Sequence, residues 1–484
     1  MSQGPPAPRL PDGWVAFVKH DCPTCVLVAP VLEQLARAGA LTVYSQDDPA
    51  FPPGASPVPD TDLEVSWHHE IEAVPTLLRV EGGREQERVL GWRRAEWESL
   101  TGVSGLGPEL PEWRPGCGSL SVDPDREPQL RARYAGARLA ARRIELSPAE
   151  DEYEALVARG FSDGLPVVPP SEARVLAMLE GTSRDPAEVV AEVPPDLAPC
   201  SVEKVAINAV MAGCKPEYLP VVLAAVSGAC SEAFNAHGLL ATTMPAGPVL
   251  IVNGPIRRRI GMNSGVNVFG QGNRANSTIG RALQLVIRNV GGGRPGEVDR
   301  AAHGNPGKVG FCFAEDEEGS PFEPLSTSLG VAAGVDTVTL FPGEGPRCIV
   351  DQLSREPESL ARSLAANLRT LHHPKLILAF DCLLAIGPEH ARVFREAGWS
   401  RARLADRLQE LLQIPGDELV RGAGGMAEGA PESVRGALLP KFRPGGILIV
   451  HCGGGAGLFS AMIGGWAGGA LGSQPVVREI GPWT

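Results

Sequence analysis

The chain has 484 residues, 43% of them apolar and 21% charged, a globular composition long enough for two or three domains. Its net charge of −13 leaves no basic excess to meet phosphates, so nucleic acid is not an expected partner. Aromatic residues are scarce (5%) while glycine (58) and proline (45) abound, which predicts many turns and close backbone approaches.

The first residues, MSQGPPAPRLPDGW, lack a basic-then-apolar export pattern. Ten cysteines are scattered along the chain, and only Cys22 and Cys25 are closely spaced. That is no disulfide framework, and a cytoplasmic protein with mostly reduced thiols is expected. Residues 13–19 (GWVAFVK) read as a buried strand, and residues 23–38 carry a helical apolar pattern with Pro30 inside it. LTVYS (41–45) is a second strand. TLLRV and ERVLGW form a hairpin turning at Gly82 and Gly83, and RRAEWESLTG closes with a helix.

A strand, then Cys22-Pro23-Thr24-Cys25, then a helix places the first cysteine at a helix N-terminus. There the dipole and free N–H groups favour a thiolate. Cys22 is therefore the expected nucleophile, and Cys25, one turn on, the thiol that resolves a mixed disulfide. A metal clip needs a second cysteine pair or a Cys/His pair at ligand spacing. His20, His68 and His69 are present, but no second C-x-x-C is. The expected redox group is the disulfide itself, with no cofactor required, no metal ligand set assigned, and the question of a bound metal left open.

The order of these elements, with Val74-Pro75-Thr76 opening the strand TLLRV, resembles the thioredoxin family over residues 10–102. The resemblance implies a thioredoxin fold in which Pro75 is a cis proline facing the cysteine pair. It also implies a thiol reductant or thioredoxin reductase as partner. Two positions depart from the family. Asp21 stands where an aromatic usually precedes the first cysteine, and Ala16 stands where many members carry a buried acid. A carboxylate beside Cys22 should oppose its thiolate, and the missing acid should slow proton transfer to Cys25.

Residues 1–104 are read as this domain. Residues 105–150 are read as a linker, rich in Gly and Pro and ending in the basic helix PQLRARYAGARLAARRIEL. Residues 151–484 form one large α/β domain with a mixed sheet and glycine-rich loops. Helices are predicted at 171–180, 202–213, 217–234, 277–289, 355–371, 389–397 and 400–413. No charge separates Arg443 from Arg478. Glycines throughout that run, with His451 and Cys452, argue against a membrane helix. A buried strand, glycine loop and buried helix fit it better. GPVLIVNGP, PKLILAFDCLLAIGP and GGILIVHCGGG echo one another as apolar strands ending in polar residues and a glycine turn. That grammar places Asn253, Asp381, Cys382, His451 and Cys452 at strand ends, where ligands bind in open α/β sheets.

Cys214 follows a helix, before Lys215-Pro216, and reads as a small buried hydrophobe or a nucleophile. Asn235 and His237 precede an apolar run, and His237 is a structural histidine or an acid–base group. GMNSGVNVFGQGNRANSTIG gathers Asn263, Asn267, Gln271, Asn273, Arg274, Asn276 and Ser277 in a glycine-rich loop before a helix that Ser277 or Asn276 can cap. The loop reads as a cradle for a small polar or anionic substrate, although it is neither a phosphate-binding P-loop nor a dinucleotide fingerprint. In HCGGG (451–455) successive glycines can form an anion nest. His451 and Cys452 can cooperate only where the strand has ended.

SDGLPVVPP, VEKVAINAVMAGCKPEYLPVVLAA and GPEHARVFREAGWS resemble the poorly characterised bacterial UGSC-type (seleno)protein group, some members of which are fused to thioredoxin-like domains. The nearest match to its motif is Cys117-Gly118-Ser119-Leu120, which lacks the last cysteine. The resemblance implies thiol chemistry and fixes no substrate. Cys117 is a reactive linker thiol or part of a turn.

The leading expectation is a fused oxidoreductase. The Cys22/Cys25 module passes electrons to a thiol site among Cys117, Cys214, Cys382 and Cys452, acting on a small polar, sulfur-containing substrate. A lyase or hydrolase-like enzyme, metal-assisted or not, whose module keeps a catalytic cysteine reduced is the second. A binding or assembly protein using the module as a scaffold is the third. The oligomeric state is not legible.

Overall fold

The computed structural model describes residues 7–134, 139–144, 146–147, 150–469 and 472–481. Contacts divide the chain into two compact units, residues 1–139 and 140–484.

The first unit is built from β1 (Gly13–Val18), α1 (Pro23–Ala38), β2 (Leu41–Ser45), β3 (Val58–Pro59), α2 (Glu64–His68), β4 (Ala73–Val74), β5 (Thr76–Glu81), β6 (Arg84–Leu90), β7 (Trp92–Arg93) and α3 (Arg94–Thr101). Its five-stranded sheet has the order β3-β2-β1-β5-β6, with β1 parallel to β2 and antiparallel to β5. The apolar run Val15–Val18 is fully buried, as a central strand covered on both faces must be. Helix α1 brings Val28, Val31, Leu32 and Leu35 into the same core, and α3 brings Trp97. The β5–β6 turn works because Gly82 and Gly83 both take positive φ, +62° and +75°, which matches the twist of a two-residue hairpin. This is a thioredoxin-like arrangement of sheet and helices.

Part of the stretch expected to be a linker belongs to this unit. β8 (Trp113–Arg114) pairs antiparallel with β7, and β9 (Cys117–Gly118) with β4. Leu106 is fully buried, and the Trp92 indole donates to Pro111 O at 2.6 Å. Its glycines and prolines shape turns in a packed strap rather than a free tether. Of the predicted basic helix, Glu127–Tyr134 is helical (α4), and Tyr134 Oη donates to Asp62 O. Residues 139–144 are not helical, and 135–138 and 145 lie outside the described residues.

The large unit opens with α5 (Glu152–Ala158), α6 (Glu172–Leu179), the hairpin β10 (Val189–Val193) and β11 (Ala198–Ser201), α7 (Val202–Ala212), α8 (Leu219–Ala229) and α9 (Ala236–Ala241). Then follow β12 (Gly247–Asn253), α10 (Ile256–Arg259), α11 (Arg274–Asn289), β13 (Phe311–Ala314), α12 (Leu325–Ser328), β14 (Thr337–Gly343), β15 (Arg347–Val350) and α13 (Pro357–Arg369). The last part holds β16 (Cys382–Ile386), α14 (Pro388–Glu396), α15 (Arg401–Leu411), β17 (Gln413–Pro415), α16 (Gly416–Leu419), β18 (Leu438–Pro440), β19 (Ile447–His451), β20 (Phe459–Gly464) and β21 (Val476–Glu479).

Two four-stranded sheets, β13-β12-β14-β21 and β19-β16-β20-β15, share one design. In each, the second strand runs parallel to the first and antiparallel to the third, and the fourth is antiparallel to the third. The fourth strands are exchanged: β15 follows β14 but joins the second sheet, and β21 follows β20 but joins the first. Val249, Ile251, Phe313 and Phe341 of one sheet pack on Leu383, Val450 and Ile463 of the other. On the far face of the first sheet, Gly280 of α11 stands against Cys312 and Gly228 of α8 against Leu340. On that of the second, α13 and α15 lay Leu360, Leu364, Leu404 and Leu408 over Leu384 and Ile449. The result is a layered α/β/β/α unit with mixed sheets.

Two sequence expectations change here. The run after Cys452 is strand β20, not a buried helix, because it completes the second sheet between β16 and β15. Among the described residues no helix is long and apolar enough to cross a membrane. PKLILAFDCLLAIGP is not one strand, since Leu378 takes φ +60° and β16 starts only at Cys382. Asp381 and Cys382 therefore stand at the beginning of their strand, opposite to the expected end.

Candidate redox site

Cys22 caps α1: it has extended backbone angles, and its sulfur accepts the Cys25 N–H at 3.4 Å. Pro23 at the first helical position costs no hydrogen bond there. The Cys22 acidity is raised chiefly by the Cys25 thiol, which hydrogen-bonds its sulfur, then by Cys117 and the backbone N–H groups, against the opposing effect of burial. Together they lower its pKa to about 5. Asp21 does not hold it up as expected. Asp21 is exposed, and the Asp47 carboxylate accepts the His20 and Asp21 N–H groups. Cys25 is fully buried. Burial first, and the neighbouring Cys22 second, push its thiol far above the ordinary range. At position 16 a fully buried alanine offers no carboxylate to take its proton.

The Val74–Pro75 peptide bond is cis and leads directly into β5. When protonated, Cys22 donates to Val74 O at 3.5 Å. Val74 in turn is the register partner of Cys117, and Ala73 of Gly118. This pairing sets the Cys117 sulfur 2.9 Å from the Cys22 sulfur. Burial, then the Cys22 thiolate, raise the Cys117 pKa. The strap is anchored along its length. Thr24 Oγ1 donates to Pro115 O at 2.8 Å, Lys19 Nζ to Gly118 O at 2.9 Å, and the Ser119 N–H to Glu72 O at 3.0 Å. Buried Gln46 donates to Ser66 and Ser119 and accepts the Leu120 N–H. Under the strap Cys22 is 1% exposed, whereas Cys117 is half-buried. No local spacing in the sequence foretold this contact, because 95 residues separate the two cysteines.

In the large unit most of the expected cradle groups are occupied by their own loop. Asn273, not Ser277 or Asn276, caps α11 by accepting the Asn276 N–H. Asn276 and Asn263 bond each other twice through side chain and backbone. Arg274 reaches the carbonyls of Gly213 and Cys214. Asn267 donates to the Gln271 carbonyl, and Ser277 and Gln271 are exposed. The amides are thus largely what a glycine-rich loop needs to hold its shape. Asn235 caps α9 and donates to Gly472 O, while His237 is exposed.

The HCGGG turn does meet the asparagine loop. The Gly453 N–H donates to Ser264 O at 2.9 Å. Asn267, Gly270, Cys348, Cys452, Gly454 and Ser460 line a cleft of about 360 Å³. His451 and Cys452 face different ways. Cys452 lines the cleft, whereas His451 Nδ1 donates to Asp316 O at 3.0 Å, leaving Nε2 buried without a partner among the described residues. Beside it lies a network the sequence did not reveal. Fully buried Glu315 accepts from Asn253, the Leu325 N–H and buried Arg401. Cys382 pairs in register with Ile447, and Ile386 with His451, so Cys382 and His451 are four rungs apart, roughly 13 Å. No metal site joins Cys382, His451 and Cys452, and among the described residues no cluster of three His, Cys, Asp or Glu groups could hold one.

Nor do Cys214, Cys382 and Cys452 have the surroundings of a stabilised thiolate. Burial pushes Cys214 up to about 12, and its thiol donates to Thr278 O. Burial also raises Cys382 and Cys452, and Asp381 and Glu315 add to it respectively.

No family model matches the chain. Its N-terminal region is 33% identical over 86 residues to the thioredoxin of Mycobacterium bovis and to those of two Mycobacterium tuberculosis strains. The match covers 17% of this chain and 61% of the length of these curated relatives. The similarity thus rests on the unit that carries Cys22, Cys25 and Pro75, and the chain contains a thioredoxin-like region.

Proposed function

We propose that the protein is a thiol–disulfide oxidoreductase whose redox pair is Cys22 and Cys25. The observation that carries this reading is the geometry of the pair: the Cys22 sulfur caps α1 and accepts the Cys25 N–H at 3.4 Å, next to the cis Val74–Pro75 bond. The acidities diverge accordingly, Cys22 lowered to about 5 and Cys25 raised by burial. At neutral pH Cys22 is a thiolate. It attacks one sulfur of a disulfide, the S–S bond breaks, and the departing thiolate takes a proton. Cys25, once deprotonated, attacks the Cys22 sulfur, releasing the second thiol and leaving a Cys22–Cys25 disulfide. An external dithiol or a thioredoxin reductase-type flavoprotein restores the pair. The large unit, with its cleft between Asn267 and Cys452, is the proposed seat of a small polar, sulfur-containing substrate. The likeness to the UGSC-type group supports thiol chemistry at Cys117 and fixes no substrate. The proposed location is the reducing cytoplasm.

The test is dithiol-driven reduction of an aromatic disulfide by the full chain. Cys22→Ser should reduce turnover to the uncatalysed rate, and Cys25→Ser, which cannot form the Cys22–Cys25 disulfide, should turn over more slowly than wild type. Wild-type turnover in Cys22→Ser would overturn the assignment.

A further inference from the structure

The thiolate assigned to attack is itself covered: Cys22 is 1% exposed beneath residues 113–118. A disulfide in solution has no open line to it. The strap that covers it places a third sulfur at the surface side of the pair. Three independent features fix that sulfur: antiparallel pairing of Cys117 with Val74, the Thr24–Pro115 and Lys19–Gly118 hydrogen bonds on either side, and the 2.9 Å sulfur–sulfur approach. A formed disulfide is about 2.0 Å long, so joining the two sulfurs takes roughly 1 Å of movement. The close packing of Gly91 against Gly116 N and Arg114 O holds the strap from behind.

We infer that Cys117 is a third redox cysteine, the entry point through which electrons leave the buried Cys22/Cys25 pair. This rests on the redox reading above and deepens it. The sequence of exchanges balances with an organic disulfide as oxidant. Cys117 gives its proton to solvent and attacks the external disulfide RSSR, forming Cys117–S–S–R and releasing RS⁻, which is protonated. The Cys22 thiolate attacks the Cys117 sulfur, forming the Cys22–Cys117 disulfide and releasing the second RS⁻, which is also protonated. Cys25 loses its proton and attacks the Cys22 sulfur, forming the Cys22–Cys25 disulfide and releasing the Cys117 thiolate, which takes up a proton again. In sum, one RSSR becomes two RSH, and the Cys22/Cys25 dithiol becomes a disulfide. Cys117 is unchanged, and the strap need not leave the site. The attacking and accepting sulfurs of the middle step are the pair already in contact, which is the proximity such an exchange requires.

The experiment uses the reduced full chain and hydroxyethyl disulfide, with acid quenching, alkylation and non-reducing peptide mapping by mass spectrometry. In Cys25→Ser the relay should halt at a Cys22–Cys117 linked peptide. In Cys117→Ser, with circular dichroism matching wild type, oxidation of Cys22/Cys25 should slow at least tenfold. A Cys25→Ser protein carrying the hydroxyethyl group on Cys22 while Cys117 stays free would overturn the relay and leave the redox pair intact. So would an undiminished rate in Cys117→Ser, which does not depend on the folding of the first variant. A wild type that forms no Cys22–Cys25 disulfide would overturn the relay together with the function it rests on.

Discussion

Cys117 lies against Cys22 because Cys117 is the register partner of Val74, whose carbonyl already faces the Cys22 sulfur. One rung of antiparallel pairing thus sets both the cover over the redox pair and the position of a third thiol. Shifting the strap by one residue would turn the Cys117 side chain to the opposite face, so everything that fixes this register also fixes the sulfur contact.

Thr24→Val tests that dependence with almost no change in side-chain volume. It removes the hydrogen bond to Pro115 O, a loss of about 1 kcal/mol. The strap should open more often, and alkylation of Cys22 by iodoacetamide in the reduced protein should rise severalfold. An unchanged rate would mean that the strap does not limit access.

The acidity of Cys22 predicts a pH signature. Its folded pKa, about 5, lies below the ordinary 9.0, so the thiolate form stabilises the folded protein. That contribution is complete above pH 9, shrinks as the pH falls, and vanishes below about 5. Denaturant midpoints of the reduced wild type minus those of Cys22→Ser should therefore fall between pH 9 and pH 5. The thiolate absorbance lost in Cys22→Ser should be half-developed near pH 5. A midpoint near 9 would show that the Cys25 and Cys117 thiols do not hydrogen-bond a Cys22 thiolate.

Local signals carried much of the first unit. The strand, CPTC and helix order, the Gly82-Gly83 turn and Pro75 are each written within a few residues, and each stands in the fold where its chemistry requires. The strap was misread because Gly and Pro mark turns equally in tethers and in packed loops. Only Leu106, Trp113 and Cys117 meeting partners far back in the chain separate the two cases. The large unit shows the same limit. Its helices follow from apolar periodicity, but the exchange of β15 and β21 between sheets is a long-range choice with no local signature. The asparagine loop looked like a ligand cradle because composition counts polar groups, whereas only the fold shows that Asn263, Asn273 and Asn276 bond one another. Glu315 and Arg401 went unnoticed for a similar reason: 86 residues separate two ordinary charged residues that meet in the core.

That buried pair carries a prediction of its own. Glu315 is fully buried, and Arg401 is 6% exposed with Nε and Nη1 lacking partners among the described residues. Glu315→Ala leaves the guanidinium charged, buried and deprived of its carboxylate, and should destabilise the large unit by about 3–5 kcal/mol. Removing both charges with Glu315→Leu and Arg401→Met should recover a large part of the loss, because no uncompensated charge remains. Urea unfolding of the full chain, followed by tryptophan fluorescence, distinguishes the cases. Equal destabilisation in the single and double variants would mean that packing, not charge pairing, accounts for the effect.

Gly91 offers the sharpest test of the strap from the opposite side. Its φ of +70° is a left-handed conformation that costs a residue with a Cβ about 1–2 kcal/mol. A Cβ there would also stand 2.8 Å from Gly116 N and 2.9 Å from Arg114 O, both backbone atoms that cannot rotate away. Gly91→Ala must therefore displace the strap, strain the turn, or both. Because residues 114–116 lead directly to Cys117, displacement would separate the two sulfurs. Cys22 should then alkylate faster, and its pKa should rise as the Cys117 contribution is lost, while the Cys25 contact and the helix N-terminus keep it below 9. If Gly91→Ala lowers stability but leaves both the Cys22 alkylation rate and its titration unchanged, the turn absorbs the strain and the strap is not held from behind by Gly91.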